Sequence, residues 1–206
     1  MEELRDQVNI PPAAAVSTAR PGLDLYWIPL GAGADVVRLS GKAYEALAAL
    51  VQRRLRRDLY HSALVAHTSD AKFVIEMTPI AGGSGRQDRG VVSEGPVGSR
   101  WLRRLRVFRY EIRRWREGVI PDISLAVASP VRLTDDADLV DQVLESVPLV
   151  PTQVWGRDEL HAGEMWNSNS VVAWLLTRTG LLTAAGRPPL GGRDPDGMQV
   201  SLPRSG

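Results

Sequence analysis

The chain has 206 residues, enough for one ordinary domain with its own core. Hydrophobic residues make up 44% and charged residues 24%, the balance of a globular protein, and there is no cysteine, which excludes disulfides, thiolate metal sites and thiol catalysis. A net charge of +1 excludes a global pull towards polyanions. No apolar run approaches the roughly 18 residues of a membrane span. The opening MEELRDQVNI is charged and mixed, unlike a secretory signal, so the expected compartment is the cytoplasm.

Residues 1–22 hold Pro11, Pro12, Pro21 and a short alanine run, and read as a loose leader. A single domain over residues 23–185 and a turn-rich, irregular tail over 186–206 follow. Leu25 to Leu30 is apolar and aromatic, a first strand ended by Gly31 and Gly33; Val36 to Leu39 is a second, short one. Ser40 is a fair N-cap for a helix from Gly41 to about Asp58, where Tyr44, Leu47, Val51 and Leu55 recur at helical spacing. Arg53, Arg54, Arg56 and Arg57 fall in its last turns, where cations suit the helix dipole.

Tyr60 to His67 predicts a strand, Thr68 to Ala71 a turn, and Lys72 to Met77 the returning strand of an antiparallel hairpin. Residues 80–98, with six glycines, predict a long loop. Leu105 to Trp115 predicts a strand with Phe108, Tyr110 and Ile112 on one face and Arg109, Glu111 and Arg113 on the other. Thr134 caps a helix over Asp135 to Val147, stopped before Pro148. After a loop over 148–166, a last helix runs from Ser168 to about Thr179, with Gly180 as its stop. The order predicts an α+β fold, a mainly antiparallel sheet packed with helices.

The stretch Asn167-Ser168-Asn169-Ser170 is over-supplied for a simple helix cap. A helix start also presents free N–H groups and a positive partial charge, which stabilise an oxyanion beside a nucleophile. A serine there needs a base, and a histidine titrates near neutral pH. His61 is the strand histidine available for this. Its plain alternative is a half-buried, hydrogen-bonded side chain.

A strand opening Tyr-His-Ser-Ala-Leu-Val (60–65), a strand Phe-Val-Ile-Glu-Met (73–77) and a late helix opening Asn-Ser-Asn-Ser (167–170) resemble the circularly permuted papain-like fold. That group includes NlpC-type amidases and peptidases, lecithin:retinol acyltransferase-like proteins and PPPDE-type peptidases. The resemblance covers roughly residues 25–180. It implies that His61 is the base and Ser168 the nucleophile, with Glu76 orienting His61 and His67 and Asp70 behind it. It also implies a groove near Tyr60, Trp166, Asn167 and Asn169 for a peptide, amide or lipid-like ligand. Family members carry cysteine where this chain has Ser168. Either the site works as a serine acyl-transfer centre, or it has lost thiol chemistry and the fold binds a ligand without reaction.

Other signals are weaker, and no cofactor or metal is expected. Gly31-Ala32-Gly33 would need a glycine at position 36 to open a dinucleotide loop, and Val36 stands there. His161 with Asp158, Glu159 and Glu164 is the chain's candidate hard-metal set, more simply read as a solvated loop. Residues 100–117 hold eight arginines against Glu111 and Glu117, with Trp101, Phe108, Tyr110 and Trp115 interleaved. This pattern fits an anion or nucleic-acid surface; near-neutral net charge favours a solvent-facing strand whose arginines pair with Asp and Glu elsewhere, so nucleic acid is not the expected partner.

Overall fold

The computed structural model describes residues 20–29, 60–80, 89–120, 122–161 and 165–185. The leader before residue 20, the strand over Val36–Leu39, the helix over Gly41–Asp58 and the tail from 186 lie outside the described residues. Six strands form one antiparallel sheet: β1 (Gly22–Pro29), β2 (Tyr60–His67), β3 (Lys72–Pro79), β4 (Val91–Pro96), β5 (Arg109–Arg116) and β6 (Val131–Thr134). Their order across the sheet is β4-β5-β3-β2-β1-β6. Two helices, α1 (Ala137–Ser146) and α2 (Ser168–Arg178), complete an α+β architecture.

The β2–β3 hairpin forms as its sequence predicts. His67 pairs with Lys72, and the turn closes with Thr68 N donating to Ala71 O at 2.8 Å and Thr68 Oγ1 donating to Asp70 Oδ1 at 2.8 Å. Two differences lie nearby. Part of the expected 80–98 loop is a strand, β4, paired along β5. Its glycine content misleads because Gly95 serves packing: a Cβ there would sit 2.1 Å from the Tyr110 ring. The second difference is that β5 starts at Arg109, not Leu105. Residues 100–108 fold instead into two short 3-10 turns.

Alternation along the strands sorts the sheet into two faces. Leu23, Leu25 and Trp27, Leu64 and Ala66, Ile75 and Met77, and Tyr110 and Ile112 form the main core. Val140, Val143 and Leu144 of α1 and Val171, Val172, Leu175 and Leu176 of α2 pack against it. The opposite face carries a smaller apolar group, Ile28, Ala63, Val65, Val74 and Ile120. Glu111 and Arg113 take that second face, as expected for the strand, but they are buried there.

The α1 cap falls two residues later than expected. Asp136 accepts from Asp138 N at 2.9 Å and Leu139 N at 3.3 Å, while Thr134 Oγ1 accepts from Asp136 N at 3.0 Å and shapes the approach. α2 ends in a Schellman motif. Gly180 has φ +73°, Gly180 N donates to Thr177 O at 3.3 Å, and Leu181 N donates to Leu176 O at 2.7 Å. Leu176 and Leu181 both belong to the core, the apolar contact that accompanies this ending.

Candidate functional site

The α2 start is built from four polar residues with distinct tasks. Asn167 Oδ1 accepts from Asn169 N at 2.8 Å and Ser170 N at 3.1 Å. Ser170 Oγ accepts from Asn167 N at 3.2 Å, which completes a capping box, and donates to Met165 O at 3.1 Å. Asn169 reaches across to β2: its Oδ1 accepts from Ser62 N at 3.1 Å, and its Nδ2 donates to Tyr60 O at 3.2 Å. The β2–β3 ladder runs only from Leu64↔Ile75 to His67↔Lys72. Beyond it the Asn169 amide stands in for the missing strand and satisfies backbone groups on both sides of His61.

Ser168 is buried at the first position of α2. It shares the sheet-facing stripe with Val171, Val172 and Leu175, at helical spacing. No hydrogen bond joins Ser168 to His61 among the described residues. Nearby Ser62 is fully buried, and its hydroxyl has no hydrogen-bond partner. An orphaned buried hydroxyl of this kind is destabilising, by about 1–3 kcal/mol.

His61 alternates with Ser62 and therefore sits on the sheet face turned away from the α2 packing layer. Its Nε2 lies 4.0 Å from Glu76 Oε2, close enough for an electrostatic pair but too long for a hydrogen bond. Burial alone lowers the His61 pKa to about 4. The ring is then neutral at neutral pH. Glu76 in turn belongs to a buried ionic chain. Its Oε1 accepts from Arg113 Nη1 at 2.8 Å, and Arg113 Nε donates to Glu111 Oε1 at 2.6 Å. Arg89 grips the same Glu111 from Nε at 3.1 Å and Nη2 at 3.3 Å, a forked contact. Burial raises the Glu76 pKa above the ordinary carboxylate value, and the Arg113 guanidinium offsets part of that rise.

Thus the structure brings together His61 with Glu76, and Asn169 with the backbone around His61. The other residues singled out by the sequence are engaged elsewhere. Trp166 is buried in the core, its Nε1 donating to Tyr110 Oη at 3.2 Å. Tyr110 Oη passes the contact on to Gln153 O at 2.8 Å. Tyr60 is half-buried against the same core. His67 lies 3.4 Å from Asp24, which Arg132 also holds at 2.8 Å, so His67 serves a separate cluster. Asp70 sits in the exposed hairpin turn, 3.3 Å from Arg116.

Glu159 accepts from Val154 N at 2.9 Å and from Arg100 Nε at 3.1 Å. The Val154 bond, foremost, lowers its pKa. Glu164 lies outside the described residues, and among those described no group of three His, Asp or Glu is placed to hold a metal. No helix among the described residues is long and apolar enough to cross a membrane.

Sequence reasoning missed two features. The strand-replacing role of Asn169, expected as groove lining, has no local signal because its partners lie more than a hundred residues away. The burial of Ser62 beside His61 is legible in principle, because strand alternation sends the two side chains to opposite faces.

Chemically, the α2 start offers an oxyanion few donors: among the described residues only Ser168 N is left there without a partner. The N–H groups of Asn169 and Ser170 are taken by Asn167, and Val171 N donates to Asn167 O at 3.1 Å. A base with a pKa of about 4 is also a weak match for general-base work near neutral pH. Compared with known proteins, the chain matches no family model, no curated protein and no solved structure at a significant level.

Proposed function

We propose that this chain is a non-catalytic binding module with a fold resembling the permuted papain-like, NlpC-type group. The surface at the α2 start receives an extended peptide or lipid-like ligand. The observation that carries the reading is that His61 lies on the sheet face turned away from α2, whose first residue is Ser168, and no hydrogen bond joins the two among the described residues. An acyl-transfer site of this kind needs its base within hydrogen-bond reach of its nucleophile. Asn169 supports the ligand side of the reading, because its amide shows that the open edge of β2 at Tyr60 and Ser62 takes hydrogen bonds from outside the sheet. The half-buried Tyr60 and the exposed Met165 flank the α2 start.

A serine hydrolase using Ser168, His61 and Glu76 is the second reading, favoured by the closeness of His61 to Glu76. Two measurements separate them. Turnover of p-nitrophenyl esters, compared between the native chain and Ser168→Ala, shows no difference for a binding module. A panel of extended peptides, followed by amide NMR shifts at Tyr60, Ser62 and Asn169, gives saturable changes. Ester turnover lost in Ser168→Ala would establish the hydrolase instead.

A further inference from the structure

Arginines in the second half of the 100–116 segment have partners within the chain, Arg113 and Arg114 inside the fold and Arg116 at its surface. Arg113 is buried in the ionic chain, Arg114 Nη1 donates to Leu144 O at 2.9 Å, and Arg116 pairs with Asp70. The first half differs. Residues 100–106 read Arg-Trp-Leu-Arg-Arg-Leu-Arg, without one carboxylate. Arg100 pairs with Glu159, and Arg109, just beyond, with Glu94. Arg103, Arg104 and Arg106 are exposed and have no carboxylate partner among the described residues. Between them stand three large apolar side chains in water: Trp101 is 79% exposed, Leu105 54% and Val107 45%.

This presentation is held in place. Leu102 N donates to Ser99 O, Leu105 N to Leu102 O, and Phe108 N to Leu105 O, so consecutive turns close on themselves. Arg109 Nε donates to the Arg103 carbonyl and ties the turns to β5. Val97 N donates to Phe108 O at 2.9 Å and ties them to β4. The Arg104 guanidinium lies 5.7 Å from the Trp101 ring centre. Apolar groups clustered in water and ringed by unneutralised cations mark an interaction surface.

We propose that residues 100–108 form a docking surface for an anionic phospholipid bilayer. Charge complementarity selects the partner: three unpaired arginines face lipid phosphates and carboxylates, while Trp101, Leu105 and Val107 enter the boundary between headgroups and acyl chains. A tryptophan suits that boundary because its ring is apolar and its N–H is polar. A single-stranded nucleic acid would use the arginines and stack on Trp101, but it gives Leu105 and Val107 nothing to bury them. The surface is independent of the His61 region and of its reading as a binding site.

Co-sedimentation with vesicles tests the proposal. The native chain binds vesicles of phosphatidylcholine with phosphatidylserine, does not bind phosphatidylcholine alone, and is released by high salt. Arg103→Gln and Arg106→Gln each weaken binding about fivefold. Leu105→Ser and Val107→Ser weaken it further while the thermal unfolding midpoint stays in place, because the native side chains are exposed. Trp101→Phe removes the fluorescence blue shift seen when vesicles are added. Failure to bind the anionic vesicles overturns the proposal. So does vesicle binding untouched by these substitutions, or preference for a single-stranded oligonucleotide that Leu105→Ser and Val107→Ser leave unchanged.

Discussion

Acid weakens this fold through His61, and His61→Gln isolates the effect. The imidazole has a pKa of 6.5 in an unfolded chain and about 4 in place, because burial removes the water that solvates its charged form. Between those values the unfolded chain binds a proton that the folded chain refuses, so stability falls as pH falls through the window. The contribution is intact above the unfolded pKa. At pH 5 the loss is about 2 kcal/mol, growing to roughly 3 kcal/mol once the pH passes below 4. The side chain is 19% exposed, so solvent screening trims little from these figures. Glu76 pulls the other way, since its raised pKa makes the folded state hold a proton longer. Comparing native and variant chains at each pH cancels that contribution. Urea unfolding is the assay: between pH 7 and pH 5 the native midpoint falls relative to His61→Gln by about 1 M. An unchanged gap would refute the reasoning. A native chain that gains on the variant in acid would refute it more sharply, because it would mean that Glu76 holds an imidazolium.

Three further substitutions test the scaffold. Asn167→Ala removes the α2 cap and half of its capping box, and lowers stability by about 1 kcal/mol in denaturant unfolding. Glu111→Ala leaves Arg89 and Arg113 facing each other in a buried site without their shared carboxylate. It costs about 3–5 kcal/mol, read as the unfolding free energy, and a loss under 1 kcal/mol would mean that the chain of charges is dispensable. Ser62→Ala removes a buried hydroxyl that bonds to nothing, so calorimetry should show an unchanged or higher melting temperature, with a gain of up to about 1 kcal/mol.

The sheet was legible wherever one local pattern decides a strand. Tyr60–His67 and its return at Lys72 were placed within two residues because alternation, turn chemistry and β-branched residues agree. The end of α2 was legible for the same reason, with Gly180 supplying the left-handed residue that a Schellman ending requires. β4 was not, because Gly90 and Gly98 on either side of it take left-handed turn conformations while Gly95 belongs to a tertiary contact with Tyr110. β6 was missed because a four-residue edge strand carries too few side chains to show a period.

At the α2 start, residue types marked the cap but not the other tasks of these side chains. Asn167 and Ser170 were legible as caps. Asn169 was not legible as a strand substitute, because its partners come from β2. Arg113 looked like a solvent-facing cation, yet it holds Glu76 and Glu111 inside the fold. Charge alone does not tell which face of a sheet is covered. The same ambiguity hid the division of the arginine segment into a buried strand half and an exposed turn half.

A fluorophosphonate probe, followed by intact-mass measurement, tests the central claim most directly. Such probes modify serines that a base has activated. With His61 on the sheet face turned away from α2, and its imidazole made a weak base by a pKa of about 4, Ser168 stays unmodified at neutral pH. A stoichiometric adduct on Ser168 that disappears in His61→Ala would contradict the account and make the chain a serine hydrolase.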